Sequence, residues 1–209
     1  MSISLPFHPT DRILELGGGT NSLKKQGFNV VSVDKNQGEG VDIVRDLENG
    51  FSDLGEYDGL VSIYLAEHIS WRKIKQFFND CFKVLKVDGA AVFIVPNTRE
   101  QIKKLLEKAE WDEGDSEFLF GGQDYSNNIH KTLFDESYIT KLLKNAGFNR
   151  VEIKTHPDPN ACDMIVYTWK SNAISSIIIA ENNIKDGGYN RCDELIHKYL
   201  RDEIKEGTQ

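Results

Sequence analysis

Short apolar runs alternate with amphipathic segments along the N-terminal half of the chain. Runs typical of buried strands occupy residues 12–16, 28–34, 41–46, 57–65 and 87–97. Residues 71–86 instead repeat apolar positions at the i, i+3, i+4 spacing of a helix that buries one face. Strands and helices in this alternation indicate a parallel sheet that is covered on both faces.

The C-terminal half departs from this simple alternation. Helices are predicted at residues 98–111 and 135–148, with a polar, glycine-bearing segment at 112–132 between them that is expected to be a loop, a short strand or hairpin within it being left open. Strands follow at 149–156 and 162–170, and they are expected to pair antiparallel because only a short turn separates them. The pattern therefore predicts an α/β fold with seven strands, of which the last is antiparallel.

Residues 171–209 fall outside the strand and helix pattern of residues 1–170. They contain one weak apolar segment and an amphipathic helix at about 190–204. We expect a C-terminal helical extension that packs on the domain, or else a docking element for a homodimer or a larger assembly.

Composition limits the classes of partner and compartment. The chain has 209 residues, which is enough for one sizeable core. Its net charge of −8 argues against nucleic acid as a partner and favours a small or neutral molecule. Cys81, Cys162 and Cys192 are scattered, as free thiols of a reducing compartment are. Because neither a signal peptide nor a membrane-spanning apolar run is present, a cytoplasmic location without a membrane span is expected.

A glycine turn at Gly17, Gly18 and Gly19 follows the first strand. It lacks the third glycine of a dinucleotide-binding turn and the lysine of a phosphate-binding loop. Glycines let the backbone approach a sugar or an amino acid without an intervening Cβ. A ligand without a diphosphate is therefore favoured.

Acidic residues accompany this turn at the ends of three strands. Glu15 precedes the first glycine by two residues, Asp34 ends the second strand, and Asp46 ends the third. An ionised carboxylate offers two acceptor oxygens, so Asp34 suits the two hydroxyls of a ribose and Asp46 suits the amino group of an adenine. The three acids and the turn together fit a nucleoside that bears an amino acid.

These segments resemble the motifs of class I S-adenosylmethionine-dependent methyltransferases. "ILELGGGTN" is similar to the first motif of that family and "VVSVD" to the second, while "YDGLVSIYLAEHI" and "CFKVLKVDGAAVFIVPN" resemble its fourth and fifth strand regions. The resemblance spans roughly residues 11–170. It implies a Rossmann-like three-layer sandwich with a mostly parallel sheet, and S-adenosylmethionine as the cofactor.

The resemblance also implies which residues hold the cofactor, since ligands of open parallel sheets bind at the carboxyl ends of the strands. The implied cofactor-binding residues are Glu15, Gly17, Gly18, Gly19, Asn21, Asp34, Lys35, Asp46, Leu47, Tyr64, Leu65 and His68.

The acceptor site is expected in residues 112–132, because this family commonly builds it beyond the fifth strand. An alcohol loses its proton when it is methylated, so a base is needed. His130, His68 and Asp124 are the candidates, although each also suits an ordinary structural or solvated role. No pair of histidines or acids at helical spacing indicates zinc, so no metal is expected, with magnesium left open.

The acceptor class rests on resemblance as well. "EHIS", "VLKVDG", "HKTLFD" and "LLKNAGF" together resemble methyltransferases found with cell-surface glycan synthesis. We therefore expect O-methylation of a sugar or another small molecule. Methylation of RNA or protein is one alternative, and a non-catalytic cofactor-binding subunit of a larger complex is another.

Overall fold

The described residues form a sheet of seven strands. The computed structural model describes residues 5–8, 10–19, 22–156, 158 and 161–171. The strands are β1 (Ile13–Leu16), β2 (Val30–Asp34), β3 (Ile43–Val44), β4 (Tyr57–Ile63), β5 (Leu85–Pro96), β6 (Arg150–Thr155) and β7 (Asp163–Trp169). They lie in the order β3, β2, β1, β4, β5, β7, β6. Strands β1 to β5 pair in parallel, and β7 runs antiparallel to both β5 and β6, which confirms the predicted mostly parallel sheet.

Four α-helices accompany the described strands. They are α1 (Ile74–Val84), α2 (Thr98–Glu107), α3 (Glu113–Phe120) and α4 (Glu136–Ala146). Helices α1 and α4 pack against one face of the sheet through an aromatic cluster. Phe78 of α1 lies at its centre, with its ring centroid 5.2 Å from that of Phe93 on β5 and 6.4 Å from that of Phe134. The apolar spacing of residues 71–86 is therefore core packing.

Apolar residues on the central strands point alternately to two clusters. Leu60 faces the cluster formed with α1 and α4, whereas Val61 faces a second cluster that contains Leu5, Phe7 and Leu23. Both faces of the central strands are thus buried. This double burial explains why these strands read as unbroken apolar runs.

Helix α3 corrects the prediction of a loop throughout residues 112–132. Its N-terminus is a capping box, in which the backbone N–H of Asp115 donates to Asp112 Oδ1 at 3.2 Å and that of Asp112 donates to Asp115 Oδ2 at 2.8 Å. The helix ends at Gly121, whose φ of 80° suits glycine. The loop prediction was wrong for the residues of α3. This helix has no apolar period, and the acidic residues of its capping box are as polar as those of a loop.

Some sequence predictions fall outside the described residues. They concern the C-terminal extension beyond residue 171, together with docking or dimerisation through it, as well as Asn21 and Cys192. Cys81 and Cys162 are buried thiols. In the described part of the chain, no helix has both the length and the apolar character needed to cross a membrane.

Asp135 provides a test of helix capping. Its carboxylate accepts from the backbone N–H of Tyr138 at 2.8 Å and from the guanidinium of Arg99, which is the main reason that its pKa falls from 3.8 to about 2. We expect Asp135→Ala to lower the free energy of unfolding by about 1 kcal/mol at neutral pH, as measured by urea unfolding.

The pH dependence of this effect follows from the lowered pKa. The contribution of Asp135 is present above the unfolded-state pKa of about 4 and is lost as the pH falls through the folded-state value of about 2. The difference between wild type and Asp135→Ala should therefore shrink in acid. An exposed control, Glu110→Ala, should leave stability unchanged at both pH values, and a difference that grows in acid would contradict the assignment.

Candidate functional site

A crevice opens at the sheet edge where the carboxyl ends of β1, β2, β3 and β4 meet. This is the point where the strand order reverses, with β2 on one side of β1 and β4 on the other. Its lining residues are Gly17, Asp34, Lys35, Asn36, Arg45, Asp46, Leu47, Glu48, Tyr64, Leu65, His68, Ile69, Tyr125, Asn127 and Lys131. Eight residues expected to bind the cofactor are among them.

The glycine turn leaves room for a ligand next to Asp34. Gly17 and Gly19 have positive φ values of 74° and 49°. A Cβ on Gly17 would lie 2.9 Å from the side chain of Leu65, so only glycine fits there. Among the described residues, a Cβ on Gly19 would meet only Asp34 Oδ2 within 4 Å, at 3.9 Å, so these residues leave the space beside the turn open.

Glu15 supports the turn from inside the protein and does not line the crevice. It is buried, its Oε2 accepts from the Ser22 hydroxyl at 2.5 Å, and its Oε1 accepts from the Leu23 N–H at 2.9 Å. Gly18 lies against this carboxylate. Burial raises the pKa of Glu15, against the lowering effect of these two hydrogen bonds. Glu15 thus anchors the start of the 3-10 turn Leu23–Gln26, which follows the glycine turn.

Asp34 and Asp46 place two carboxylates at the ends of β2 and β3. Asp34 Oδ1 accepts from the Asn36 N–H at 2.8 Å, while Asp46 Oδ2 pairs with Lys35 Nζ at 3.0 Å. Burial alone would raise the pKa of Asp46, but the hydrogen bonds from Lys35 and from the Glu48 N–H outweigh it and lower the pKa. Asp46 is therefore ionised at neutral pH, and its carboxylate oxygens act only as hydrogen-bond acceptors.

Tyr64, just after β4, has a strained backbone at the centre of the crevice. Its φ is 48°, a conformation that costs about 1–3 kcal/mol in a residue other than glycine and is concentrated at functional sites. Its hydroxyl donates to Asp163 Oδ2 at 2.8 Å. Burial raises the pKa of Asp163, and this hydrogen bond opposes the rise.

Asp163 is a candidate site residue that the sequence pattern did not indicate. It begins β7, and the antiparallel register places it opposite Pro96 at the carboxyl end of β5. The register of β7 on β5 was the missing information, since the sequence marks Asp163 only as the start of a late strand. Glu48, Arg45 and Asn127 line the crevice itself, and none of the three was predicted as a site residue.

His68 lines the crevice, and the His130 ring packs against it with ring centroids 5.1 Å apart. The Nδ1 of His68 lies 3.1 Å from the Ile129 carbonyl, and the Nδ1 of His130 lies 3.1 Å from the Leu119 carbonyl. A carbonyl only accepts, so each Nδ1 carries the hydrogen and each Nε2 keeps a lone pair. Burial is the main cause that lowers the pKa of both histidines, so both rings are neutral at pH 7.

Backbone hydrogen bonds bring this histidine pair together. The Glu67 carbonyl accepts from the N–H of Lys131 at 2.7 Å and from that of Thr132 at 3.0 Å. The Thr132 hydroxyl adds a bond to the Ile69 carbonyl at 2.6 Å. The segment that carries His130 is thereby fixed to the 3-10 turn Ala66–His68, as the shared site of the two histidines requires.

The third predicted base, Asp124, lies elsewhere. Its carboxylate is exposed and accepts from Asn128 Nδ2 at 2.6 Å within the same loop, away from the lining of the crevice. The loop instead contributes Tyr125, Asn127 and Lys131 to the crevice wall. The structure therefore brings His68 and His130 together and leaves Asp124 apart from them.

Sequence comparison finds two likenesses. The family model described as "Methyltransferase domain" matches residues 3–153. A curated relative, the Sphingolipid C9-methyltransferase of Candida albicans, is 24% identical over 109 residues, which make up 52% of this chain and 20% of that protein. The chain thus matches about one fifth of the length of this relative.

Solved structures share the fold at low identity. A SAM dependent methyltransferase from Archaeoglobus fulgidus is 15% identical, with 76% of this chain and 86% of that chain covered and a TM-score of 0.54. The Burkholderia thailandensis 1,6-didemethyltoxoflavin-N1-methyltransferase, solved with 1,6-didemethyltoxoflavin and S-adenosylhomocysteine, is 16% identical, with 78% and 72% covered and a TM-score of 0.53. At these identities the likeness shows the fold alone.

The anchoring role of Glu15 can be tested by urea unfolding. Glu15→Ala leaves the Leu23 N–H and the Ser22 hydroxyl without their buried acceptor, so we expect it to lower the free energy of unfolding by about 1–3 kcal/mol. The control Glu39→Ala removes an exposed carboxylate nearby and should change stability little. Equal stability of the two variants would contradict the anchoring role.

Proposed function

The chain belongs to the methyltransferase domain family, and on that premise we propose that it methylates a hydroxyl group of a sugar or another small molecule. S-adenosylmethionine is its cofactor. The observation that carries the choice of acceptor group is the pair of neutral imidazoles, His68 on the crevice wall and His130 packed against it. A hydroxyl needs a proton acceptor when it is methylated, and an imidazole lone pair is one.

The crevice suits this cofactor. Asp34 faces the open space beside Gly19, where its carboxylate would hold the two ribose hydroxyls. Asp46, held ionised by Lys35, would accept from the adenine amino group. Leu65, which closes on Gly17, would contribute apolar contact beside the glycine turn. When bound, S-adenosylmethionine supplies a methyl carbon activated by a positively charged sulfur, and the sulfur keeps the bonding electron pair when the methyl group leaves.

The residues of the chain then have two tasks. The crevice walls align the acceptor oxygen with the methyl carbon, which is the main contribution that a protein makes to such a displacement. His130 Nε2 takes the proton that the hydroxyl loses as its oxygen forms the new bond to carbon. The Nδ1–H bond to the Leu119 carbonyl keeps the His130 ring in the orientation that presents this lone pair.

The polar lining supports a hydroxylated acceptor. Lys131 Nζ lies 3.3 Å from Glu48 Oε1, and Asn127 and Tyr125 add hydrogen-bonding and aromatic surface on the loop side. Cations and carboxylates are balanced along the wall, with Lys35, Arg45 and Lys131 beside Asp34, Asp46 and Glu48. This balance supports a neutral acceptor over an RNA backbone, which needs a predominantly cationic groove.

Cofactor binding through Asp34 gives the first test. We expect Asp34→Ala to weaken S-adenosylhomocysteine binding by roughly 10²-fold or more in isothermal titration calorimetry, because hydrogen bonds to a charged group contribute about 1.5–3 kcal/mol each. Asp53→Ala removes an exposed carboxylate that pairs with Arg45 and serves as the control. Unchanged affinity in Asp34→Ala would remove Asp34 from the cofactor site.

Proton transfer gives the second test. We expect His130→Ala to reduce turnover about 10²–10⁴-fold on an accepted sugar while affinity for S-adenosylhomocysteine stays constant. Turnover is measured as S-adenosylhomocysteine release over a panel of sugars, with a sphingolipid included because of the curated relative. Since burial lowers the pKa of His130, wild-type turnover should decline only below the ordinary histidine pKa of 6.5.

Two comparisons complete this test. His8→Ala removes an exposed histidine outside the crevice and should leave turnover unchanged. An unchanged rate in His130→Ala would eliminate His130 as the base and direct the same measurement to His68→Ala and Asp124→Ala.

A further inference from the structure

Three side chains that can ligate a metal meet beside the crevice, and one of them, His68, also lines it. One ligand atom each from Glu67, His68 and His130 lie within 4.8 Å of one another. We propose that this Glu67–His68–His130 cluster binds a divalent transition-metal ion such as Zn²⁺. Two imidazoles and one carboxylate are the donor set of catalytic zinc sites that keep an open position for water or substrate.

The hydrogen bonds of the two rings are those of metal ligands. Metal-binding histidines almost always donate their second ring N–H to a carboxylate, a backbone carbonyl or a water, which fixes the tautomer and the ring orientation. His68 donates from Nδ1 to the Ile129 carbonyl, and His130 donates from Nδ1 to the Leu119 carbonyl, each at 3.1 Å. Both rings are thus locked with the Nε2 lone pair available. This observation is independent of how close the three side chains lie.

The protein backbone also holds the cluster in place. Glu67 and His68 share the 3-10 turn Ala66–His68, and Glu67 is only 2% exposed. The Glu67 carbonyl binds the N–H groups of Lys131 and Thr132, which follow His130 directly. Ligands around a tetrahedral zinc lie about 3.4 Å apart, given zinc–nitrogen bonds of about 2.0–2.1 Å. The side chains therefore need to approach by only about 1–1.5 Å to close around an ion.

The role of the ion in the reaction rests on the proposed function. Binding of the ion can be measured by itself, without any acceptor. A hydroxyl that occupies the open position of the ion has a lowered pKa, as a metal-held water has. Its O–H bond breaks with the proton released to solvent, and the oxygen keeps the electron pair that forms the bond to the methyl carbon while the bond from that carbon to the cofactor sulfur breaks and the sulfur keeps its electron pair. In this form His130 acts on the hydroxyl through the ion instead of taking the proton itself.

The test uses the full chain after removal of metal by a chelator. We expect calorimetric titration with ZnCl₂, without cofactor or acceptor, to show a site that is weakened at least tenfold in His130→Ala and in Glu67→Gln. His8→Ala, which removes a histidine outside the cluster, should bind as the wild type does. Co²⁺ used as a second probe should give visible d–d absorption in the wild type that His130→Ala abolishes.

Equal Zn²⁺ affinity in the wild type, His130→Ala and Glu67→Gln would overturn the proposal, because the ion would then be bound elsewhere. A wild-type protein that binds no Zn²⁺ would also overturn it. Thermal melting and S-adenosylhomocysteine binding show whether each variant is folded. His68→Gln replaces Glu67→Gln if the buried Glu67 substitution prevents folding.

Activity measurements separate this proposal from the proposed function. Full methyl transfer by chelator-treated protein would overturn the role of the ion and leave the proposed function standing. Zn²⁺ binding that depends on His130, in a protein that methylates no hydroxyl of the acceptor panel, would support the ion site and count against the proposed function.

Discussion

The parallel pairing of β1 with β2 on one side and with β4 on the other is the constraint on which the whole site depends. Leu14 of β1 lies opposite Val31 of β2 and Leu60 of β4. Because these three strands run in the same direction, their carboxyl ends reach the same edge of the sheet. The Gly17 N–H extends the pairing by donating to the Val33 carbonyl at 2.8 Å, so the glycine turn starts directly at that edge.

The part of the crevice wall formed by the loop after α3 depends on long-range backbone contacts instead of strand pairing. The loop that follows α3 returns to the sheet edge because the Lys131 and Thr132 N–H groups find the Glu67 carbonyl, and because the His130 N–H donates to the Phe120 carbonyl at 2.9 Å. A loop tied at both ends presents its side chains in a fixed position. This is the preorganisation that a reaction controlled by alignment requires.

Burial sets the acid–base character of the site by acting in opposite directions on acids and on histidines. Removal from water disfavours the charged form, so it raises the pKa of Glu15 and Asp163 and lowers the pKa of His68 and His130. Asp46 is the exception, because the hydrogen bond from Lys35 contributes to keeping it ionised. The crevice therefore combines an ionised carboxylate, Asp46, with a neutral imidazole, His68, against which the neutral ring of His130 packs.

Local pattern alone determined most of the fold. The strands were indicated by unbroken apolar runs, and α1 was indicated by its i, i+3, i+4 spacing. The shared direction of parallel strands predicted one sheet edge for a set of polar and aromatic residues that do lie there, namely Asp34, Asp46, Tyr64 and His68. These inferences worked because they depend on neighbours within one turn or one strand. Helix α3 escaped them, since its capping box starts a helix with no apolar period.

Only the tertiary structure decided which distant residues meet. Asp163 reaches Tyr64 through the antiparallel register of β7 on β5. His130 reaches His68 and Glu67 through backbone hydrogen bonds between two loops, so the spacing of histidines along the chain could not indicate that they form one cluster. Hydrophobic periodicity indicates which side of a helix or strand is buried. The path of a polar loop depends instead on backbone hydrogen bonds, and these can form whatever side chain the residue carries.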